Sequence, residues 1–393
     1  MWEEWVPACL CLRDYSLFKL QKDVVAGVTV GIMAVPQGMA YAAMLKLPPV
    51  FGLYCSLVPA AIYFLLGTSS HLVVGPTAVM SSLVSQLAAR KEEYFVYSLL
   101  SGIFLCVVSM FGLGFLAHRI LSKPVVYGFT AAAGTLVIKG QMSSLLGVKY
   151  SRIQDLFFAP LRTEAYLGVG ALILLLLFRY QSLRVLRWCP KTAVPLFIIV
   201  FCTYLTYILH LHENSGVNVI GAVRAGFPQF QLPKLKKTLT SAPLRVVGST
   251  MVISLFLVVE ALSIAQTFAV QWNYQIVPNQ ELFALGLANV GGGFFSAYPV
   301  TGSLSRTAVC AATGAMTRSS NLFCSLTVLA TLLFFTKFCY YMPLSVLSAI
   351  VIASAAKIVD VKFPVQLWLS SKKEFCVYLA SFLLFFFMVL ALH

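Results

Sequence analysis

Long runs without a single formal charge constrain this chain more than any other feature. Asp, Glu, Lys and Arg are absent from Val24–Leu45, Leu47–Ala89, Tyr94–Ala117, Thr192–His212, Phe338–Ala356 and Phe375–His393. A membrane span takes about 20 apolar residues, and in hydrocarbon every backbone polar group must be satisfied within the protein, so such runs become helices. Hydrophobic residues make up 60% of the 393 and charged residues 10%, which leaves little sequence for a soluble domain. The chain therefore reads as an all-α polytopic membrane protein. Thirteen apolar segments are expected, near 24–45, 49–66, 72–89, 94–117, 124–146, 165–178, 192–211, 245–270, 281–298, 303–316, 319–341, 344–356 and 374–392. The sixth, tenth and twelfth are short. Lys and Arg fall almost evenly on alternate loops, so the positive-inside rule is silent. The stretch 1–22 is expected to be cytoplasmic, and its layout is not that of a signal peptide.

Within this sequence, one cation stands out. Tyr298-Pro299-Val300-Thr301-Gly302-Ser303-Leu304-Ser305-Arg306 follows a stretch from Leu282 with no charge at all. A guanidinium at membrane depth costs about 2.5–3.5 kcal/mol on insertion scales, so it is expected to face a polar cavity and to have a function there. Pro299 and Gly302 interrupt a helix, and one restarting at Ser303 aims unpaired N–H groups and the positive end of its dipole at the place where Arg306 lies. That place should hold an anion.

A second interruption stands at a corresponding position in the first half. Ala34-Val35-Pro36-Gln37-Gly38 sits mid-segment, and 40 residues after Pro36 comes Val74-Gly75-Pro76-Thr77, opening the short third segment. In the second half Glu260 lies mid-segment, and Ser303 opens the short tenth segment 43 residues later. Paired interrupted segments in the two halves are the sequence signature of an inverted-repeat transporter with its site at the midplane. The two half-helix N-termini should then face each other across one cavity. Gln37 and Tyr41, four apart, share a helix face. Singly, such residues glue membrane helices together. Jointly, Gln37, Tyr41, Thr77, Ser303, Ser305 and Arg306 read as substrate-binding. Glu260, the only charged residue in Val246–Gln280, is either a proton-coupling carboxylate or the counter-ion of Arg306.

Other chemistry finds no support. The net charge of +15 is dispersed over loops and makes no nucleic-acid surface. It suits contact with anionic lipid headgroups. The ten cysteines lack zinc spacing and read as small apolar packers, and the histidines, including His210-x-His212, lack metal spacing. No P-loop, HExxH or GxSxG occurs, so neither an ATP-driven pump nor an enzyme is expected, and no cofactor or metal. Gly291-Gly292-Gly293 is expected to allow close helix packing, not to cradle a phosphate.

Pro36-Gln37-Gly38-Met39-Ala40-Tyr41-Ala42, Leu47-Pro48-Pro49-Val50-Phe51-Gly52-Leu53-Tyr54, Gly67-Thr68-Ser69 and Val74-Gly75-Pro76-Thr77-Ala78-Val79-Met80-Ser81 resemble the SulP family of sulfate permeases and anion exchangers. Glu260, Asn279-Gln280-Glu281-Leu282, Asn289 and Tyr298 to Ser303 continue the likeness over nearly the whole chain. The resemblance implies a UraA-like fold of seven-plus-seven inverted repeats, with a core moving against a gate in an elevator-like cycle. It also implies an anion held near Gln37, Tyr41, Thr77, Ser305 and Arg306, and a proton-coupling role for Glu260 in some members. The expected division is a first repeat over 23–211, an inter-repeat loop over 212–244 and a second repeat over 245–393. Against the family pattern the fourteenth segment and the cytoplasmic STAS domain are missing, no Asn-x-Ser/Thr sequon occurs, and Gln266 replaces a base found in relatives.

The function expected on this reading is secondary transport by exchange of small inorganic anions, sulfate first, with chloride, bicarbonate or oxalate as further substrates. The lipid bilayer and a second copy in a homodimer are the expected partners, in the plasma membrane or an endomembrane such as the lysosome or vacuole. Two alternatives stand beside it. One is a nucleobase permease of the same architecture, which has no need of Arg306; the other is a shortened, transport-inactive chain that pairs with full-length partners.

Overall fold

The computed structural model describes residues 15–114, 123–147, 163–180, 194–233, 235–359 and 362–391. Cys9-x-Cys11, most of the expected cytoplasmic stretch 1–22 and most of the loop after the fifth segment lie outside the described residues. The apolar runs become α1 (Leu17–Met44), α2 (Val50–Leu66), α3 (Ala78–Leu87), α4 (Glu93–Met110), α5 (Lys123–Leu146), α6 (Thr163–Tyr180) and α7 (Val194–Ile208). Two short helices follow, α8 (Leu211–Ser215) and α9 (Leu235–Ser241), and then α10 (Pro243–Gln271), α11 (Pro278–Phe294), α12 (Leu304–Ala312) and α13 (Ser319–Ala330). A wider π turn and a 3₁₀ turn carry α13 on to Cys339. α14 (Leu344–Ile358), α15 (Lys362–Ser370) and α16 (Lys372–Ala391) complete the set. The short helices α8, α9 and α15 were not among the expected segments, because none has a run long enough to register as a span. At 1.5 Å per residue the 29 residues of α10 reach about 43 Å, ample for a bilayer.

Pro36 corrects one expectation: it lies inside an unbroken α1. Proline removes one backbone hydrogen bond, and a membrane helix tolerates this where neighbours pack around it. Residues 33–42 of α1 are all buried. The crossing with α2 is so close that a Cβ on Gly38 would stand 2.8 Å from the Gly52 carbonyl oxygen.

The helices sort into two packed groups. α1 lies against α2 and α13, α2 against α11, and α4 against α11 and α10; separately, α14 and α16 cover α5, and α6 covers α14. The pairing is crosswise. α6 of the first half packs on α14 of the second while α16 of the second packs on α5 of the first, and α4 on α11 is answered by α13 on α2. Two inverted copies interlocked in this way form the UraA-like seven-plus-seven architecture, with the thirteen predicted segments in place. Gly291 and Gly293 do serve helix packing: a Cβ on Gly291 would strike the Ile62 side chain, and one on Gly293 would stand 3.2 Å from the Leu99 amide.

Phe197, Phe201 and Tyr204 on α7, Leu244 and Leu255 on α10, and Leu384 and Phe387 on α16 are exposed. Such a surface would aggregate in water, but acyl chains solvate it.

Candidate anion-binding site

The two interruptions meet. Val74–Gly75 (β1) and Thr301–Gly302 (β2) pair antiparallel, Val74 opposite Gly302 and Gly75 opposite Thr301. The expectation of two helix ends facing across an open cavity is thereby refined: the chains are stitched together first, and α3 and α12 start from the stitch. Extended backbone at membrane depth leaves amides and carbonyls to satisfy. Two asparagines do so in parallel fashion. Asn321 on α13 accepts from Val74 N (3.2 Å) and donates to Leu72 O (2.7 Å). Asn289 on α11 accepts from Val300 N and donates to Val300 O, each at 2.9 Å. Ser303 N donates to Val73 O, and Val73 N to Thr307 Oγ1.

Arg306 lies in the first turn of α12 and is 1% exposed. Its Nη2 donates to Pro76 O at 2.8 Å, tying the tenth segment to the residue before Thr77. Gly75 leaves the room it needs, since a Cβ there would stand 2.8 Å from Nη2. Nε and Nη1 have no hydrogen-bond partner among the described residues. An unpaired buried donor on a charged group is costly, so this guanidinium is held half-satisfied and available.

Thr77 caps α3, its Oγ1 accepting from Met80 N at 3.3 Å, and the same hydroxyl donates to Glu260 Oε2 at 3.5 Å. No ion pair joins Glu260 to Arg306 within the described structure, so the counter-ion role predicted for Glu260 does not take the form of a salt bridge. Geometry decides this: the one hydrogen bond made by the guanidinium is spent on a backbone carbonyl, and the carboxylate is held by Thr77. Ser303 Oγ and Ser305 Oγ lie 3.4 Å apart at the start of α12. The first-turn amides of α3 and α12 have no carbonyl a turn behind them to bond. Gln37 and Tyr41 are buried on α1 with no hydrogen bond to the other five, and Gln37 Oε1 is unpartnered. The structure therefore joins Thr77 to Glu260 and ties Arg306 to Pro76, just before Thr77, and it buries Gln37 and Tyr41 on α1.

Three carboxylates that the sequence did not mark as structural hold the same body together. Glu281 accepts from Tyr63 Oη, Thr68 N, Thr68 Oγ1 and Ser69 N, fixing the loop that leads into β1. Asp23 accepts from Tyr15 Oη, Met316 N, Thr317 N and Thr317 Oγ1, fixing the loop after α12. Glu93 pairs with Arg245 at 2.6 Å across the starts of α4 and α10. His71, in the loop fixed by Glu281, packs on the rings of Trp272 and Tyr274, with Nε2 3.1 Å from Ala315 O. A carbonyl can only accept, so Nε2 carries the proton, and burial lowers the imidazole pKa below its ordinary 6.5. Seven described cysteines are free; Cys55, Cys202, Cys310, Cys324 and Cys339 are buried as packers.

Comparison with known proteins agrees with this architecture. The Sulfate permease family profile matches residues 20–381. The chain is 32% identical to the sodium-independent sulfate anion transporter of Bos taurus over 422 residues, which is 98% of this chain and 69% of that protein. It is 32% identical to a probable sulfate permease of Schizosaccharomyces pombe, covering 96% of this chain and 48% of the yeast protein, about half its length. In fold it is similar to the transmembrane domain of the cyanobacterial bicarbonate transporter BicA, with a TM-score of 0.83 at 21% identity over 96% of this chain and 98% of that one. A profile match over residues 20–381, nearly the full length, means that this chain belongs to the Sulfate permease family.

Proposed function

We propose that the chain moves small inorganic anions across a membrane by alternating access, sulfate first, with chloride, bicarbonate and oxalate as further substrates and exchange as the mode. The observation that carries the reading is Arg306, fully buried, anchored through Nη2 alone and left with Nε and Nη1 unpartnered at the start of a half-helix. An oxyanion supplies what those donors lack, acceptor oxygens that carry negative charge. The first-turn amides of α12, those of Ala78 and Val79 on α3 and the hydroxyls of Ser303 and Ser305 add neutral donors around it, so the anion is desolvated without meeting a second full charge. Glu260 beside Thr77 sets the net charge of the pocket: protonated, it leaves the site more positive by one unit and so favours a divalent anion. The packing of one helix group around the stitch and of α5, α14, α16 and α6 apart from it supports an elevator-like motion of the first group against the second. A homodimer in the plasma membrane or an endomembrane belongs to the same reading by kinship.

The test is uptake of labelled sulfate by proteoliposomes containing the chain, with chloride, bicarbonate, oxalate or sulfate inside. Uptake that depends on the trapped anion supports exchange. Uracil should not compete; competition by uracil with indifference to sulfate would overturn the anion reading in favour of a nucleobase permease.

A further inference from the structure

α15 is too short to cross a bilayer, since its nine residues reach about 14 Å at 1.5 Å each. It links two spans, α14 and α16, and so lies along one membrane surface. Seven segments, α1–α7, and five more, α10–α14, precede it. Their even number puts α15 on the side of residues 1–22, which is expected to be cytoplasmic. Along α15 the side chains form three stripes. Leu367 is buried with Ala131 of α5 and Tyr378 of α16, and the Phe363 ring stacks on Tyr127 at 4.0 Å, so this stripe holds the helix to the protein. Lys362, Gln366 and Ser370 recur every fourth residue and make a polar stripe. Val365, Trp368 and Leu369 make the third, apolar and exposed, Leu369 to 81%.

The corner into α16 carries the charge. Ser371 N donates to Leu367 O and Ser371 Oγ accepts from Glu374 N, so α16 starts at once, with exposed Lys372 and Lys373 in its first turn. Lys372 Nζ stands over the Trp368 ring, 5.9 Å from its centroid, and Trp368 meets Phe375 edge-on at 5.0 Å. Cations are misplaced at a helix start, where the dipole is already positive. Glu374 is the one acid in residues 362–376, against three lysines. We propose that the exposed apolar stripe of α15 and the two lysines opening α16 form a binding site for an acidic phospholipid of the adjoining leaflet. Val365, Trp368 and Leu369 enter the acyl boundary, an indole settles at headgroup depth, and the neighbouring lysines then meet the lipid phosphates. The headgroup supplies the negative charge that this helix start lacks, and the cytoplasmic leaflet is the one rich in acidic lipid. A soluble phosphate ester brings the same charge but nothing to cover the apolar stripe. The site sits on the helix group of α5, α14 and α16, so it anchors that group in the leaflet and is no part of the Arg306 pocket.

The test reads the lipid around Trp368 in the full chain, reconstituted in lipid nanodiscs. Its fluorescence is isolated as the difference between the parent and Trp368→Phe. Acyl-brominated phosphatidylserine, titrated into phosphatidylcholine, is compared with brominated phosphatidylcholine titrated in the same way. The acidic lipid should quench at a lower fraction, by about fivefold per lysine and roughly thirtyfold for the pair. The preference should fall toward unity in Lys372→Gln/Lys373→Gln and in high salt, and Lys372→Arg/Lys373→Arg should keep it. Excess glycerophosphoserine at constant ionic strength should leave the quenching unchanged. Equal quenching by the two lipids in the parent, or a preference that survives in the glutamine pair, overturns the proposal. So does a Trp368 that neither lipid quenches, or displacement by the soluble headgroup, which would make this a site for a free phosphate ester. No sulfate enters the assay, so its outcome is separate from that of the transport reading.

Discussion

At the scale of single residues the proposed site turns on one buried cation with too few partners. A hydrogen bond to a charged group is worth about 1.5–3 kcal/mol, so Arg306→Ala should cut sulfate kcat/KM by roughly 10- to 100-fold or more while the chain still inserts. Arg306→Lys should recover part of it, as a point charge without the fork. Uptake by the alanine variant at the parent rate would place the site elsewhere. Gly75→Ala tests the same geometry from the other side: a Cβ 2.8 Å from Nη2 must displace the guanidinium, so KM should rise although no substrate-binding group has been removed. Glu260→Gln keeps the size and the acceptor facing Thr77 but fixes the charge. The pH profile of uptake should flatten, and an unchanged profile would leave Glu260 with no coupling role. His71 gives a pH effect on stability. Because burial depresses its folded-state pKa, the unfolded chain binds the extra proton, so stability is fully present above pH 6.5 and is lost as pH falls below that value. The purified chain should therefore melt earlier at pH 5.5 than at 7.5, and His71→Gln should narrow the gap.

Elements that would otherwise be unstable at membrane depth are held by side chains from their neighbours. The stitch of β1 and β2 is only two residues long on each side. Its flanking amides and carbonyls are satisfied by Asn289, Asn321 and Thr307 on α11, α13 and α12. Replacing Asn321 by Ala removes two such bonds and orphans Val74 N and Leu72 O, at about 1–3 kcal/mol per buried group. Asn289→Ala does the same to Val300. Each variant should lower the melting temperature in detergent by a similar amount and lower sulfate uptake with it; a normal melting curve for either would mean that the strands need no such support. Asn289 stands out in sequence within a motif, yet nothing there says what it bonds. Asn321 is one polar residue in an apolar helix, indistinguishable by pattern from a helix-packing asparagine. The three short helices were missed for a different reason, because none has an apolar run long enough to register as a segment.

For the whole molecule, the crosswise packing has a mechanical consequence. The segment after α7 is attached at both ends: Asn218 N donates to Glu164 Oε1 and Ile220 N to Met342 O, whereas Gly226 N donates to Leu332 O and Gln231 N to Phe294 O. It therefore ties the helix group around α14 to the group around α11. The two halves do not need it to stay together, since α4 grips α11, α2 grips α13 and α16 grips α5. Residues 1–224 and 225–393 expressed as separate chains should co-purify as one particle with sulfate binding retained. Their separation would show that the covalent connection, not the interlocking, holds the repeats.

The amino-acid sequence by itself determined the class and the order of the apolar segments, and it singled out Arg306 as the lone buried cation of the second half. These follow from the absence of charge, because a backbone in hydrocarbon has few ways to satisfy itself and a lone guanidinium there is too costly to be idle. It also determined that Thr77 and Ser303 begin short helices, from Pro and Gly at matched positions. Pairing was decided only by the tertiary structure. That Pro36 does not break α1, that Glu260 turns to Thr77, and that Arg306 anchors on the Pro76 carbonyl depend on contacts between residues 183 to 230 positions apart for the last two. The roles of Asp23, Glu93 and Glu281 as buried clamps were equally out of reach. A carboxylate at a helix end has the same local pattern whether it meets water or four donors from another segment, and only the fold brings those donors to it.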